Sequence, residues 1–325
     1  VLQFAPGLLE DRWPVRVAST GGRFMTTHAD RHHPLLSAED PARTVQALLE
    51  AVRGAREAGL VLLRHLPAHG PVAEAVTEAV RAGGFSALER VRLECAYAGG
   101  AAGRLTDGVI DVGHMSSKAR KEFRRRVRAI EKQAGAPLTI VDRSGDRDLV
   151  EEFLDFQAAG WKGDPAQGGG AFRLDPYHER WCREVLAGFR EDDALLAPSA
   201  LAGDEVIFMS LDLLSGRAAF GFIDAYNEEY VRSSPGAVGR LAEWAYITRV
   251  PGVSHFDPAF DPSYAASTKL YPERREHVDL LIGTTAKGRA VVRGLPLART
   301  VRDRIRGGRS VRRERSDVGV DAAEA

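Results

Sequence analysis

A strand handing over through a short polar turn to a helix opened by Ser-Ser-Pro-Gly is the feature that most constrains this chain. Residues 217–226 (RAAFGFIDAY) read as the strand, 227–236 as the turn and 237–246 as the body of the helix. Ser233 and Ser234 stand as caps, and Pro235 takes the first helical position, where its missing N–H is no loss and its fixed φ suits the turn. A helix begun this way at a strand's end aims backbone N–H groups above the sheet, which makes an anion site.

The bulk numbers bound the rest. A length of 325 residues allows one large or two modest domains. Lys and Arg balance Asp and Glu at 45 each, so no global charge argues for nucleic acid or a membrane surface. Cys95 and Cys182 are far apart, with no disulfide framework and no paired metal-ligand spacing; both read as packing residues in a reducing, cytoplasmic setting. His32-His33 and His65…His69 form no ligand set, since Pro67 breaks helical pairing and no acidic cluster accompanies them; no metal is expected. No apolar run approaches the ~20 residues that span a bilayer. The chain opens at Val1 without a secretory signal pattern, which leaves room for missing upstream residues. From Gly307 on it is basic, then acidic, with little to bury, and is expected to be disordered.

Along the chain, residues 40–58 and 72–82 carry helical spacing, while 60–63 and 87–98 read as strands, giving a first α/β lobe over 1–115. Residues 116–134 form a helix with Phe123, Val127 and Ile130 on one face. Eight basic residues from Lys118 to Lys132 stand against Glu122 and Glu131, a local charge of +6. A solvated connecting helix (116–135), a platform for tRNA or another polyanion, and a contact with anionic lipid are the three readings of it; no aromatic residues interleave to stack bases. A second lobe over 136–302 reads as strand (138–141), two helices (146–160 and 176–190), a three-strand meander (195–201, 206–214, 218–225), the Pro235 helix, and strands at 253–257 and 278–283, with a tail from 303.

That order resembles the GNAT acyltransferase fold. Ser116-Ser-Lys-Ala-Arg-Lys-Glu-Phe-Arg-Arg-Arg126 resembles the basic helix of the CelD-like acetyltransferases, relatives of the FemAB aminoacyl transferases. Ala159-Gly-Trp-Lys-Gly163 is similar to that family's S-W-K-G signature, with Gly160 in place of serine. Ile223-Asp-Ala-Tyr226 and Tyr230-Val-Arg-Ser-Ser-Pro-Gly236 resemble its D-x-x-Y-x-x-x-S-P-G turn. His255-Phe-Asp257 with Tyr264 and Lys269 resembles its F-D…Y-K end. The resemblance covers roughly residues 104–299. It implies tandem GNAT-like lobes, the first degenerate and the second complete, with mixed sheets flanked by helices. It also implies an acyl-CoA co-substrate whose diphosphate meets Arg232, Ser233, Ser234, Gly236 and Ala237. Pro235 stands where the usual Q/R-x-x-G-x-G/A signature has glycine, which removes one N–H from the cradle and leaves room for another activated donor.

Acyl transfer to an amine needs the amine deprotonated, the carbonyl oxygen stabilised and the donor held in line. Asp224, near the end of an apolar strand, reads either as a partly desolvated base or as a turn-closing carboxylate. Tyr226 is a donor to the reacting carbonyl or thiolate, or an aromatic lid on the turn. Trp161 and Lys162 wall a substrate cleft and pair an anion, or close a helix end. Asp257 orients the acceptor amine or caps the following segment. Lys269 resembles a lysine that relatives place near the donor, and Tyr264 belongs to the same end motif. The expected activity is N-acyl transfer from acyl-CoA to an amino sugar, peptide or other small amine. The alternatives are a FemAB-like aminoacyl-tRNA-dependent transferase and a non-catalytic binding protein of a polysaccharide operon.

Overall fold

The computed structural model describes residues 5–10, 13–20, 34–55, 58–99, 105–106, 109–110, 112–260 and 267–296. The elements in chain order are β1 (Ala5–Glu10), β2 (Trp13–Ser19), α1 (Pro41–Gly54), β3 (Leu60–Pro67), α2 (Pro71–Ala82), β4 (Ser86–Gly99), β5 (Leu105–Thr106) and β6 (Val109–Ile110). There follow α3 (Ser117–Ala134), β7 (Leu138–Asp142), α4 (Leu149–Ala159), α5 (Pro176–Glu191), β8 (Leu195–Leu196), β9 (Pro198–Ala202), β10 (Glu205–Ser215) and β11 (Ala218–Tyr226). The chain continues with α6 (Pro235–Ile247), β12 (His255–Asp257), α7 (Ser267–Leu270) and β13 (Glu273–Gly283), and residues 286–296 are helical. The fold class is mixed α/β, a mixed sheet flanked by helices. No helix among the described residues is long and apolar enough to cross a membrane.

The chain divides into two compact units. Unit 1 comprises Val1–Met25, Arg31–Leu93 and Glu276–Ala325. Its strands run in the order β1-β2-β3-β13, with β2 parallel to β3 and the other pairs antiparallel. Alternation along β3 sends Val61 and Leu63 to a core with Val45 and Leu49 of α1 and Val76 and Ala79 of α2. Leu60 and Leu281 pack on the opposite face with Val292 and Leu295 of the last helix. The strand read at 278–283 thus pairs with β3 in unit 1, because Ile282, Leu281 and Leu280 take register against Val61, Leu62 and Leu63. Sequence order had set it in the second lobe.

Unit 2 comprises Thr26–Asp30 and Glu94–Arg275. Its strand order is β4-β12-β11-β10-β9-β7, with β8 also paired to β10. Only β11 and β12 are parallel; the rest of this path is antiparallel. One face is covered by α3 and α6, whose Phe123, Ile130, Leu241 and Trp244 pack with Phe208, Ala219 and Phe256. The other is covered by α4 and α5, whose Phe153, Leu154 and Leu186 pack with Met209, Leu211 and Phe222. The α3 boundaries follow from local chemistry: Ser116 Oγ accepts the Ala119 N–H at 3.3 Å, and Gly135 ends the helix at φ 72°. The central helix α6 buries ten of its thirteen residues. It lies so near β10 that a Cβ on Gly239 would stand 1.9 Å from Phe208 Cγ.

The feature that positions the site is a divergence of two strands. Strands β11 and β12 pair from Ala218↔His255 to Phe220↔Asp257 and no further. Strand β11 runs on to Tyr226. Beyond Asp257 the chain turns away through Pro258 and Ala259, the latter in the left-handed region at φ 51°. Gly221 lies against this turn: a Cβ there would approach the Pro258 carbonyl to 2.9 Å. Beyond that contact the edge of β11 opens.

Candidate active site

The opening is a cavity of about 200 Å³ lined by Lys162, Ser210, residues 221–224, Arg240, Glu243 and residues 258–260. Each wall has a local origin. Strand β11 presents Asp224, helix α6 presents Arg240 and Glu243 three residues apart on one face, and β10 presents Ser210. Lys162 comes from the short 3-10 turn Trp161–Gly163 that follows α4.

Asp224 sits between the two cations. Its Oδ2 accepts from Arg240 Nε at 2.6 Å and its Oδ1 from Lys162 Nζ at 3.1 Å. Lys162 also donates to the Asp224 carbonyl oxygen. Burial by itself would raise this carboxyl; the charges and hydrogen bonds of Arg240 and Lys162 outweigh it and hold Asp224 well below the usual carboxylate range. Arg240 in turn lies over the Phe260 ring, 4.7 Å from its centroid. The arrangement is a fixed pair of donors at a cavity wall, suited to an oxyanion or a carboxylate.

Deeper on the other side lie two carboxyl groups. Glu243 is 4% exposed and Asp212 is 0% exposed. Ser210 Oγ stands 2.5 Å from Glu243 Oε1 and 3.3 Å from Asp212 Oδ1. Burial pushes the Glu243 carboxyl up to about 7, with Asp224 adding to the rise and the hydrogen bonds from Asp212 and Ser210 opposing it. Burial, then the charge of Glu243, drives Asp212 well above the ordinary carboxylate range. A cavity-lining carboxyl that titrates around neutrality is able to take and return a proton at working pH.

The residues singled out by sequence separate sharply here. Lys162 and Asp224 line the cavity, but the expectation of Asp224 as base is corrected: an anion clamped by two cations is a weak proton acceptor. Asp257 is buried, and its Oδ1 accepts the Ala259 N–H at 2.8 Å, so it closes the turn that forms the cavity wall. Trp161 is 37% exposed, and its backbone N–H donates to the Glu228 carboxylate, which ties the 3-10 turn to the segment before α6. Lys269 lies exposed on α7 and does not line the cavity. Tyr264 lies outside the described residues, as do His32, His33 and the tail from Gly307.

The expected anion cradle does not line this cavity. Arg232 is exposed, whereas Ser233 and Gly236 are buried. Ser234 adopts φ 51°, ψ 59°, and its side chain caps nothing. Its carbonyl takes both the Ala237 N–H at 3.0 Å and the Val238 N–H at 3.2 Å. Pro235 has no N–H, so Gly236 holds the amide of this helix start left for an anion, and the Tyr226 ring lies beside its α-carbon: a Cβ on Gly236 would stand 3.0 Å from the ring. None of Arg232, Ser233, Ser234, Gly236 or Ala237 lines the cavity of about 200 Å³.

Sequence reasoning missed Glu243, Arg240, Ser210 and Asp212. Their signal is faint but present. Arg240 and Glu243 are the only charges in the otherwise apolar α6 segment 235–247, and Ser210 and Asp212 are alternate residues of a strand that is apolar from Val206 to Leu214.

Residues 117–257 match the family model described as an acetyltransferase (GNAT) domain. No curated protein matches the chain. Among solved structures, the C-terminal domain of a putative lysylphosphatidylglycerol synthetase from Agrobacterium fabrum is 13% identical with a TM-score of 0.51, covering 92% of this chain and 84% of its own. The L-PGS of Bacillus licheniformis is 11% identical with a TM-score of 0.50, covering 87% and 81%. A tandem GNAT protein from the clavulanic acid biosynthesis pathway is 12% identical with a TM-score of 0.39, covering 84% and 76%. At these identities the first two likenesses are of fold.

Proposed function

We propose that this chain is an N-acyltransferase in which Glu243 deprotonates an acceptor amine held in the cavity of unit 2. The observation that carries the reading is the buried Glu243 carboxyl facing the space opened where β11 leaves β12. Arg240 and Lys162, held by Asp224, stand where charge developing on the carbonyl oxygen is stabilised. The cavity, at about 200 Å³, suits a small amine or the end of a larger one. Amino-sugar and peptide amines both meet that description, and the setting we assign is cytoplasmic.

Two donors satisfy this chemistry. Acyl-CoA is the donor a GNAT domain ordinarily takes, with Pro235 leaving the 232–237 turn one N–H short for its diphosphate. A specific observation favours aminoacyl-tRNA. Lys118, Lys121, Arg124, Arg125, Arg128 and Lys132 are all exposed and fall within about a third of the circumference of α3. Of the six, only Arg125 has a carboxylate partner among the described residues, Glu122. A stripe of cations opposite the buried Phe123 and Ile130 matches a phosphate backbone. One fold relative bears the name of a putative lysylphosphatidylglycerol synthetase, and a lysyl group is an aminoacyl group.

The test supplies radiolabelled acetyl-CoA and mixed aminoacyl-tRNA to the full chain with a panel of small amines. The expected result is amine-dependent consumption of one donor that falls by a factor of ~10²–10⁴ in Glu243→Gln. Turnover in that variant at the wild-type rate sinks the reading. Retention of tRNA that weakens steeply with salt, and weakens again on neutralising Lys121, Arg124 and Arg128, selects the second donor; acetyl-CoA consumption without tRNA retention selects the first.

A further inference from the structure

Behind Glu243 lies a group that touches no cavity surface. Asp212 is 0% exposed, and no N–H or hydroxyl donor among the described residues reaches its Oδ2. Its Oδ1 stands 3.3 Å from Ser210 Oγ, that hydroxyl stands 2.5 Å from Glu243 Oε1, and the two carboxyl groups are within hydrogen-bonding reach of each other. One hydroxyl carries one proton, so Ser210 cannot donate to both carboxyl groups. The shorter contact fixes its proton on Glu243. The longer one is then satisfied only if Asp212 is the donor. Two adjacent buried anions are costly, whereas a neutral acid beside a carboxylate is not.

We propose that Asp212 is a buried carboxylic acid that stays protonated, donating toward Ser210 and Glu243, and so keeps the cavity-lining carboxyl an anion ready to accept a proton. Asp212 is a positioning residue in this scheme. The inference rests on the acyl-transfer reading only for its use. The ammonium form of the acceptor breaks one N–H bond and Glu243 gains the O–H bond. The pair passes from one shared proton to two; as the amide forms, the nitrogen's next N–H proton goes to the departing group, and Glu243 releases the proton it took to solvent. The groups facing Glu243 are Ser210 and Asp212 of β10, Asp224 of β11, Arg240 on its own helix, Lys162 of the 3-10 turn, and Tyr271, whose buried hydroxyl has no hydrogen-bond partner among the described residues. Asp224 opposes the Glu243 anion and Arg240 favours it, and Asp212 is the carboxyl in hydrogen-bond contact with it.

The experiment is infrared difference spectroscopy of the full chain, following the C=O stretch of protonated carboxyl groups from pH 5 to pH 8. Two buried acid bands are expected at the low end. One fades around neutrality and is missing from Glu243→Gln. The other persists at pH 8 and is missing from Asp212→Asn, which keeps the donor in place and should leave the Glu243 band titrating within about one pH unit of its wild-type midpoint. Absence of an acid band at pH 8 in the unaltered protein overturns the proposal, and so does its survival in Asp212→Asn. The wild-type spectrum decides even if that variant fails to fold. No donor or acceptor is needed, so an intact band pattern with unaffected turnover in Glu243→Gln would refute the acyl-transfer reading and leave this one standing.

Discussion

At the scale of single residues, the cavity is organised by opposed fates of acidic side chains. Asp224 loses its proton easily because Arg240 and Lys162 flank it; Glu243 keeps its proton up to about 7 because burial dominates. The first makes a testable contribution to stability. Side-chain exposures of 12% for Asp224, 15% for Arg240 and 19% for Lys162 put the triad in a little-screened setting. Asp224→Asn leaves two neighbouring cations without their anion, and chemical denaturation at pH 7 should show a loss of about 3 kcal/mol. The sign of the pH dependence follows from a depressed carboxyl. The stabilisation is complete above the unfolded-state value of about 4 and drains away as pH falls further toward the lower folded value. The gap between wild type and Asp224→Asn should therefore close below about pH 4; a gap unchanged between pH 7 and pH 3 would contradict the clamp. The sequence left Asp224 open between base and structural carboxylate, because the deciding charge, Arg240, comes from another element, and distance across the sheet is invisible in a string of residues.

At the scale of elements, α6 carries the site because it is drawn tightly onto the sheet. Gly239 is the contact that permits it, facing Phe208 on β10 with no room for a methyl group. Gly239→Ala must push α6 outward or force Phe208 from its rotamer, at a cost of about 1–3 kcal/mol. The displacement also carries Arg240 and Glu243 away from Asp224 and Ser210. Thermal denaturation should register the first effect, and loss of the Glu243 acid band near neutrality the second; a variant unchanged in both would mean that the close approach is not what seats the helix. The strand–turn–helix order was legible from the sequence, as were the span of α3 and the three-strand meander. Pattern and turn chemistry act locally, and Gly203 and Gly216, both at positive φ, mark the two turns of the meander. The conformation of the 234–237 turn was not legible, because it depends on Tyr226 lying against Gly236 and on Ser234 entering the left-handed region, which serine rarely does.

At the scale of the molecule, unit 2 is nearly continuous in sequence whereas unit 1 is gathered from both ends of the chain. That difference has a consequence for folding. Strand β3 draws its antiparallel partner from β13, more than 200 residues later, through the register Leu60↔Gly283 to Pro67↔His277. The two cores of unit 1 draw Val278, Leu281, Ile282, Val292 and Leu295 from the same late segment. At roughly 1.5–3 kcal/mol for each buried apolar side chain, these five supply on the order of 10 kcal/mol, comparable to the whole stability of an ordinary domain. The first 93 residues therefore lack the means to hold a fold, and unit 1 forms only after β13 has been made. Ending the chain after Arg275 should abolish amide protection in β3, α1 and α2. The ladder β9-β10-β11 and the helix α6, whose contacts close within residues 94–275, should keep theirs. Hydrogen exchange read by mass spectrometry separates the outcomes. Continued slow exchange across residues 60–67 would show that β3 does not depend on β13, while collapse of protection in β10 and α6 as well would show that the candidate site is supported from outside unit 2.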